Sequence, residues 1–140
     1  MTVRAGVPEH IIESRIIPIA RRLPVADAIL LGVVLMAKGI PVVEVTMDGE
    51  DAEASIRELT DMGLSVGAGT LFTLPEANAA LKAGASFLVS PHTDPDLILY
   101  AQNREVPIFP GAVPPTEVRT AWTLGASAIK LFPASMGGPS

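Results

Sequence analysis

One feature restricts this chain more than any other: short β-branched runs recur about every twenty residues, separated by stretches with helical spacing of Ala, Leu, Ile and Val. The runs are 16–20, 42–46, 65–69, 87–90, 108–111 and 128–131, and their starts lie 26, 23, 22, 21 and 20 residues apart. That interval holds a strand, a loop, a helix of about three turns and a second loop. The intervening helices are predicted over 25–38, 51–59, 74–83, 94–102 and 115–124, with a leading helix over 9–14. Helix-end signals agree with these bounds. Lys38-Gly39 and Ala83-Gly84 suit C-caps, while Thr73 and Asp94 suit N-caps with a proline close behind. No linker or change of composition divides the chain, so 1–140 is read as a single domain.

Parallel strands joined by helical crossovers form either a doubly wound sheet or a (β/α)8 barrel. The near-constant unit length favours the barrel. So does the gathering of polar and glycine residues at successive strand ends: Glu44-Val45-Thr46, Gly67-Ala68-Gly69-Thr70, Ser90-Pro91-His92, Pro110-Gly111 and Lys130. In a barrel those ends converge on one mouth. A dinucleotide fingerprint is absent, because the run from Gly67 has no third glycine where that motif needs one. The fold class is therefore α/β, a TIM (β/α)8 barrel, of which 140 residues supply about six units. A complete barrel takes eight units and roughly 200 residues or more. On this reading the domain is incomplete at its C-terminal side, its first and sixth strands expose apolar edges, and further sequence or neighbouring copies must cover them.

Composition excludes several classes of function. With 10 basic and 15 acidic residues the net charge is −5, and the longest basic run is Arg21-Arg22, so neither a nucleic-acid nor a membrane partner is expected. There is no cysteine, which removes thiolate metal sites and a cysteine nucleophile. His10 and His92 have no ligand cluster around them, so no metal and no cofactor are expected. The N-terminus lacks the apolar core of a signal peptide, and the location is read as cytoplasmic.

Two residues stand out chemically. Lys130 lies between Ile129 and Leu131 in an apolar strand, where burial favours the neutral amine, and such an amine at a barrel mouth attacks ketones. The same position suits a lysine that snorkels to solvent or pairs with a carboxylate. Glu44, flanked by Val43 and Val45, is placed for proton transfer if it points inward, or for a structural ion pair if it meets a cation such as Lys130. The Gly67-Ala68-Gly69-Thr70 run allows close approach of backbone to a ligand and offers a hydroxyl, and it equally suits a tight strand-to-helix turn. Gly137 and Gly138 present backbone N–H groups to a phosphate, or form a plain flexible loop.

Five motifs in this order and spacing, Val43-Glu44-Val45-Thr46, Val66-Gly67-Ala68-Gly69-Thr70, Val89-Ser90-Pro91-His92, Phe109-Pro110-Gly111-Ala112 and 129–134 around Lys130, closely resemble the 2-dehydro-3-deoxy-phosphogluconate/4-hydroxy-2-oxoglutarate aldolases. The resemblance runs from about residue 16 to the last. It implies a metal-free class I aldolase on a (β/α)8 barrel, commonly a homotrimer. Such an enzyme cleaves a 2-keto-3-deoxy sugar acid 6-phosphate to pyruvate and glyceraldehyde 3-phosphate. Carried over residue by residue, it gives Lys130 the Schiff base and Glu44 the proton shuttle. Thr70 then lies at the substrate carboxylate, Phe132 packs on the intermediate, and Arg21 helps to neutralise the anionic substrate. Pro91, Gly137 and Gly138 are the remaining implied substrate contacts. Asp48 stands where many members carry a substrate-binding arginine, so that role does not transfer. The family's last two βα units, with a further phosphate-binding glycine turn, have no counterpart in the sequence. Two other readings compete: a truncated or engineered partial barrel acting as an assembly module, and a phosphate-binding barrel isomerase or synthase, which has no need of a lysine at 130.

Overall fold

Six parallel strands pair strictly in chain order, each joined to the next by a helix, in the computed structural model, which describes residues 4–136. Helix α1 (Glu9–Ser14) leads into β1 (Ile19–Ala20), α2 (Val25–Ala37), β2 (Val42–Thr46), α3 (Ala52–Asp61) and β3 (Ser65–Gly69). The alternation continues through α4 (Leu74–Ala83), β4 (Phe87–Ser90), α5 (Pro95–Gln102), β5 (Ile108–Ala112), α6 (Pro115–Leu124) and β6 (Lys130–Leu131). These are six consecutive βα units of a barrel wall, as the period predicts.

Strands β2, β3 and β4 match their predicted bounds, β5 runs one residue further to Ala112, and the two outer strands are shorter. Strand β1 starts at Ile19 rather than residue 16, because Pro18 has no N–H to give the ladder, although its carbonyl accepts from Glu44 N–H at 2.8 Å. Strand β6 starts at Lys130 rather than residue 128, and its ladder to β5 has only the register pairs Gly111–Lys130 and Ala112–Leu131. Each outer strand has one neighbour among the described residues, so pairing stabilises it from one side only.

Alternation along the strands sorts the core into two bodies. Val43, Val45, Val66, Ala68, Leu88 and Ile108 face outward and pack under the helices with Ile56, Leu59 and Leu97. Val42, Phe87, Val89 and Phe109 face inward and meet Ile11 of α1, which closes the N-terminal end of the sheet. The helix ends hold this register. Thr73 forms a capping box with Glu76, and Asp94 accepts from the N–H groups of Asp96 and Leu97 at 2.8 and 3.2 Å. As expected of an open sheet, apolar surface is exposed beside both edges: Ile19 is 45% accessible, Leu131 70%, and α2 presents Leu30 and Val33 to solvent. Among the described residues no helix is long and apolar enough to cross a membrane.

Candidate active site

The alternation turns Glu44, the middle residue of β2, inward, and it lines one cavity of about 320 Å3 together with Lys130, the first residue of β6. Its other walls are apolar, from Ile11, Ile17, Val89 and Phe109 among others, so these two side chains are its only titratable members among the described residues. Lys130 is half-buried rather than enclosed, with its Nζ 4.9 Å from the centre of the Phe132 ring. Glu44 is 4% accessible. The two share this cavity but stand beyond direct ion-pair distance, and among the described residues Glu44 Oε1 is buried without a hydrogen-bond partner. Among the described residues Glu44 thus makes none of the ion pairs considered for it.

Burial pushes the Glu44 carboxyl above its ordinary range, and the nearby positive charges of Lys130 and Arg21 oppose that shift without cancelling it. The folded state thus favours the protonated acid. The resulting stability is fully present below the ordinary carboxylate pKa and is lost as pH rises through the raised value, at about 1.4 kcal/mol for each unit of displacement. Glu44→Gln should accordingly match the parent in thermal melts near pH 4 and become the more stable of the two as pH rises. A difference in melting temperature that stays flat with pH would contradict the burial argument.

The glycines before Thr70 do not form the tight turn considered for them. Both lie inside β3, and neither has positive φ. A Cβ at Gly67 would overlap the Phe87 ring, and one at Gly69 would overlap the Glu44 carboxylate, so these positions are empty to admit neighbouring side chains. The left-handed turn falls on Thr70 itself, at φ 58°. For a β-branched residue that conformation costs on the order of 1–3 kcal/mol, strain of the kind that collects at functional sites.

Around the mouth the other expected residues are dispersed. Arg21 is exposed, and within the described residues it forms no hydrogen bond or ion pair, acting on Glu44 only through its field. Pro91 sits on the β4–α5 loop, whose backbone passes so close to Gly111 that a Cβ there would strike the Pro91 carbonyl. Because Gly111 is the register partner of Lys130, that loop borders the lysine's end of the mouth. Phe132 is 40% accessible beside Lys130. Gly137 and Gly138 lie outside the described residues.

Three features escape the sequence reading. Arg22, at φ 51°, turns away from its neighbour Arg21 and pairs with Asp48, Nε to Oδ2 at 2.7 Å. The charge of Asp48 is thereby paired, and its carboxyl is held below the ordinary range by the Thr46 hydroxyl first and then by Arg22, against the opposing effect of burial. The charge reversal expected at this loop is muted, and Asp48 borders a separate cleft with Pro24, Glu50 and Asp51. The third feature is a stack of Phe72 on His92, ring centres 5.6 Å apart, on the β3–α4 and β4–α5 loops. Only a contact map reveals these pairings, since their members lie 20 or more residues apart in sequence. Among the described residues no group of three or more His, Asp or Glu side chains is placed to hold a metal.

Comparison with known proteins bears on this arrangement. The family model "KDPG and KHG aldolase" matches residues 7–139. A 2-dehydro-3-deoxy-phosphogluconate aldolase of Treponema pallidum is 39% identical over 89% of this chain and 60% of its own length. Its counterpart in Pseudomonas aeruginosa is 36% identical over 91% of this chain, again 60% of its own length. The solved KDPG aldolase of Legionella pneumophila, with pyruvate captured at low pH as a covalent carbinolamine intermediate, is 32% identical at a TM-score of 0.81, covering 87% of this chain and 61% of that one. The chain thus spans about 60% of the length of the curated relatives it matches.

Proposed function

The chain belongs to the KDPG and KHG aldolase family, and from that premise we propose that it serves carbon–carbon bond cleavage of a 2-keto acid through a Schiff base on Lys130. The observation that carries the reading is the cavity shared by Lys130 and Glu44. A second favours Lys130 over the other lysines. Of three in the sequence, Lys38 and Lys82 close helices α2 and α4 at the opposite end of the sheet, leaving Lys130 alone on the side where the strands end.

The chemistry needs an electron sink at the ketone. Lys130 Nζ adds to the C2 carbonyl to give a carbinolamine, which loses water to form the protonated imine. The C3–C4 bond then breaks, its electrons passing into the imine as an enamine while the C4 hydroxyl gives up its proton and the aldehyde leaves. Protonation at C3 and addition of water release pyruvate and free the amine. Glu44, raised toward the neutral form by burial, is the group that carries these protons. Thr70 and Arg21 hold the substrate carboxylate and neutralise its charge, Pro91 and Phe132 pack on the chain, and Gly137 and Gly138 supply N–H groups for a phosphate. The substrate is read as a 2-keto-3-deoxy sugar acid 6-phosphate, yielding pyruvate and glyceraldehyde 3-phosphate. The working form is read as a homo-oligomer, a trimer by family, which would cover part of the apolar surface beside β1 and β6.

Borohydride reduction in the presence of pyruvate tests the proposal. One reduced adduct per chain is expected, and peptide mapping should place it on Lys130. Absence of an adduct, or its appearance on Lys38 or Lys82, would overturn the reading.

A further inference from the structure

Glu44 does not reach across to the residue it faces. Its register partner on β3 is Gly67, yet its carboxylate lies over Gly69, two residues nearer the strand's C-terminal end. The side chain therefore leans along the strands toward the mouth as well as across to β3. The cause is visible in the packing: the Phe87 ring, fully buried, already fills the space above Gly67. Glu44 therefore leans along β3 into the space over Gly69, which is open because Gly69 has no side chain. Backbone conformation does not require glycine here, since Gly69 lies in a regular strand without positive φ.

We infer that Gly69 is a positioning residue for the Glu44 carboxylate, setting how far it extends toward the cavity that Lys130 shares. The inference rests on the proposed proton-transfer role of Glu44 for its functional consequence, and on packing alone for its geometry. An alanine at 69 would overlap Glu44 Oε1, Cδ and Cγ. The overlap falls on the free end of a side chain, so the response is displacement of the carboxylate rather than a break in the sheet.

Two measurements on Gly69→Ala in the full chain separate geometry from function. Carboxyl-labelled Glu44, followed by NMR titration, should move back toward the ordinary carboxylate range as displacement takes it out of its buried place. The positive groups facing it, Lys130 and Arg21, remain in both proteins. An unchanged titration would overturn the positioning assignment whatever the chemistry. Exchange of the pyruvate methyl protons with deuterated solvent should fall on the order of a hundredfold, the scale of a lost general acid–base. Borohydride trapping at Lys130 should persist. Gly69→Ala placed in a Glu44→Gln background should slow exchange no further, because both changes act on one group. Multiplying effects would mean that Gly69 acts elsewhere and would overturn the inference. A displaced titration with unaltered exchange would keep the packing relation and remove Glu44 from the proton step. If Gly69→Ala fails to fold, the same substitution with Glu44→Ala must fold as Glu44→Ala does, since the obstructing side chain is gone. Failure of that double variant also overturns the assignment.

Discussion

Lys130→Ala is expected to eliminate both the pyruvate adduct and keto acid cleavage, with a loss in kcat on the order of a millionfold, as when a covalent nucleophile is deleted. In barrier height that is about 8 kcal/mol. The size follows from what the cavity offers instead. Apart from Glu44 its walls among the described residues are apolar, and they offer no second nucleophile or electrophile. Glu44 by itself moves protons but gives the departing electron pair nowhere to go. Lys130→Arg is the informative companion, because it keeps a cation beside the Phe132 ring, now 4.9 Å from Nζ, while losing the ability to form an imine. Equal loss in both variants assigns the effect to covalent chemistry. Substantial activity in Lys130→Arg would show that positive charge alone suffices, and the Schiff-base reading would fall. Each variant should unfold close to the parent, since residue 130 is half-buried at the end of a strand paired on one side.

The fold was legible because its information is local. A period near twenty residues, β-branched runs and cap signals such as Thr73 and Asp94 act within a few residues of themselves, and the structure places β2, β3 and β4 on the predicted bounds. Where a boundary missed, as at β1 and β6, the strand has a single partner among the described residues and tertiary pairing decides its length. The placement of Lys130 and Glu44 on one cavity was legible from the sequence, because each carries a charge within an apolar strand of the same sheet. What the sequence did not reveal is pairwise and distant. Arg21 and Arg22 are adjacent and chemically identical, yet one faces Glu44 through its field and the other is taken by Asp48, 26 residues away. Likewise Gly67 and Gly69 read as a turn, whereas they serve as empty sites for Phe87 and Glu44, side chains from the strands on either side. A missing side chain carries no sign in sequence of what will occupy its place.

That last relation makes Phe87→Ala the substitution expected to cost most in stability, about 3–5 kcal/mol by urea unfolding. The inward-facing core is small, with Phe87 and Phe109 as its only aromatic members, their ring centres 5.5 Å apart. Phe87 is fully buried, and Gly67 beneath it has no side chain with which to fill a void. Collapse is therefore limited, which places the site toward the expensive end of large-to-small changes. Against a net stability of about 5–15 kcal/mol for a domain, the loss is a large fraction. Phe109→Ala should cost less, because Phe109 borders the cavity and already lacks neighbours on one side. Gly67→Ala supplies the decisive comparison. In the parent its Cβ would drive into the Phe87 ring, whose neighbours leave it little room, and about 1–3 kcal/mol should be lost. With Phe87→Ala in place the same methyl enters vacated space, and the double variant should be no less stable than Phe87→Ala alone. Additive losses would show that Gly67 and Phe87 do not share that volume. The consequence reaches the candidate site, because the ring that fills the space over Gly67 is also what turns Glu44 toward Gly69. Phe87→Ala should therefore let the carboxylate settle deeper, over Gly67, and slow pyruvate methyl exchange even under conditions where the variant remains folded.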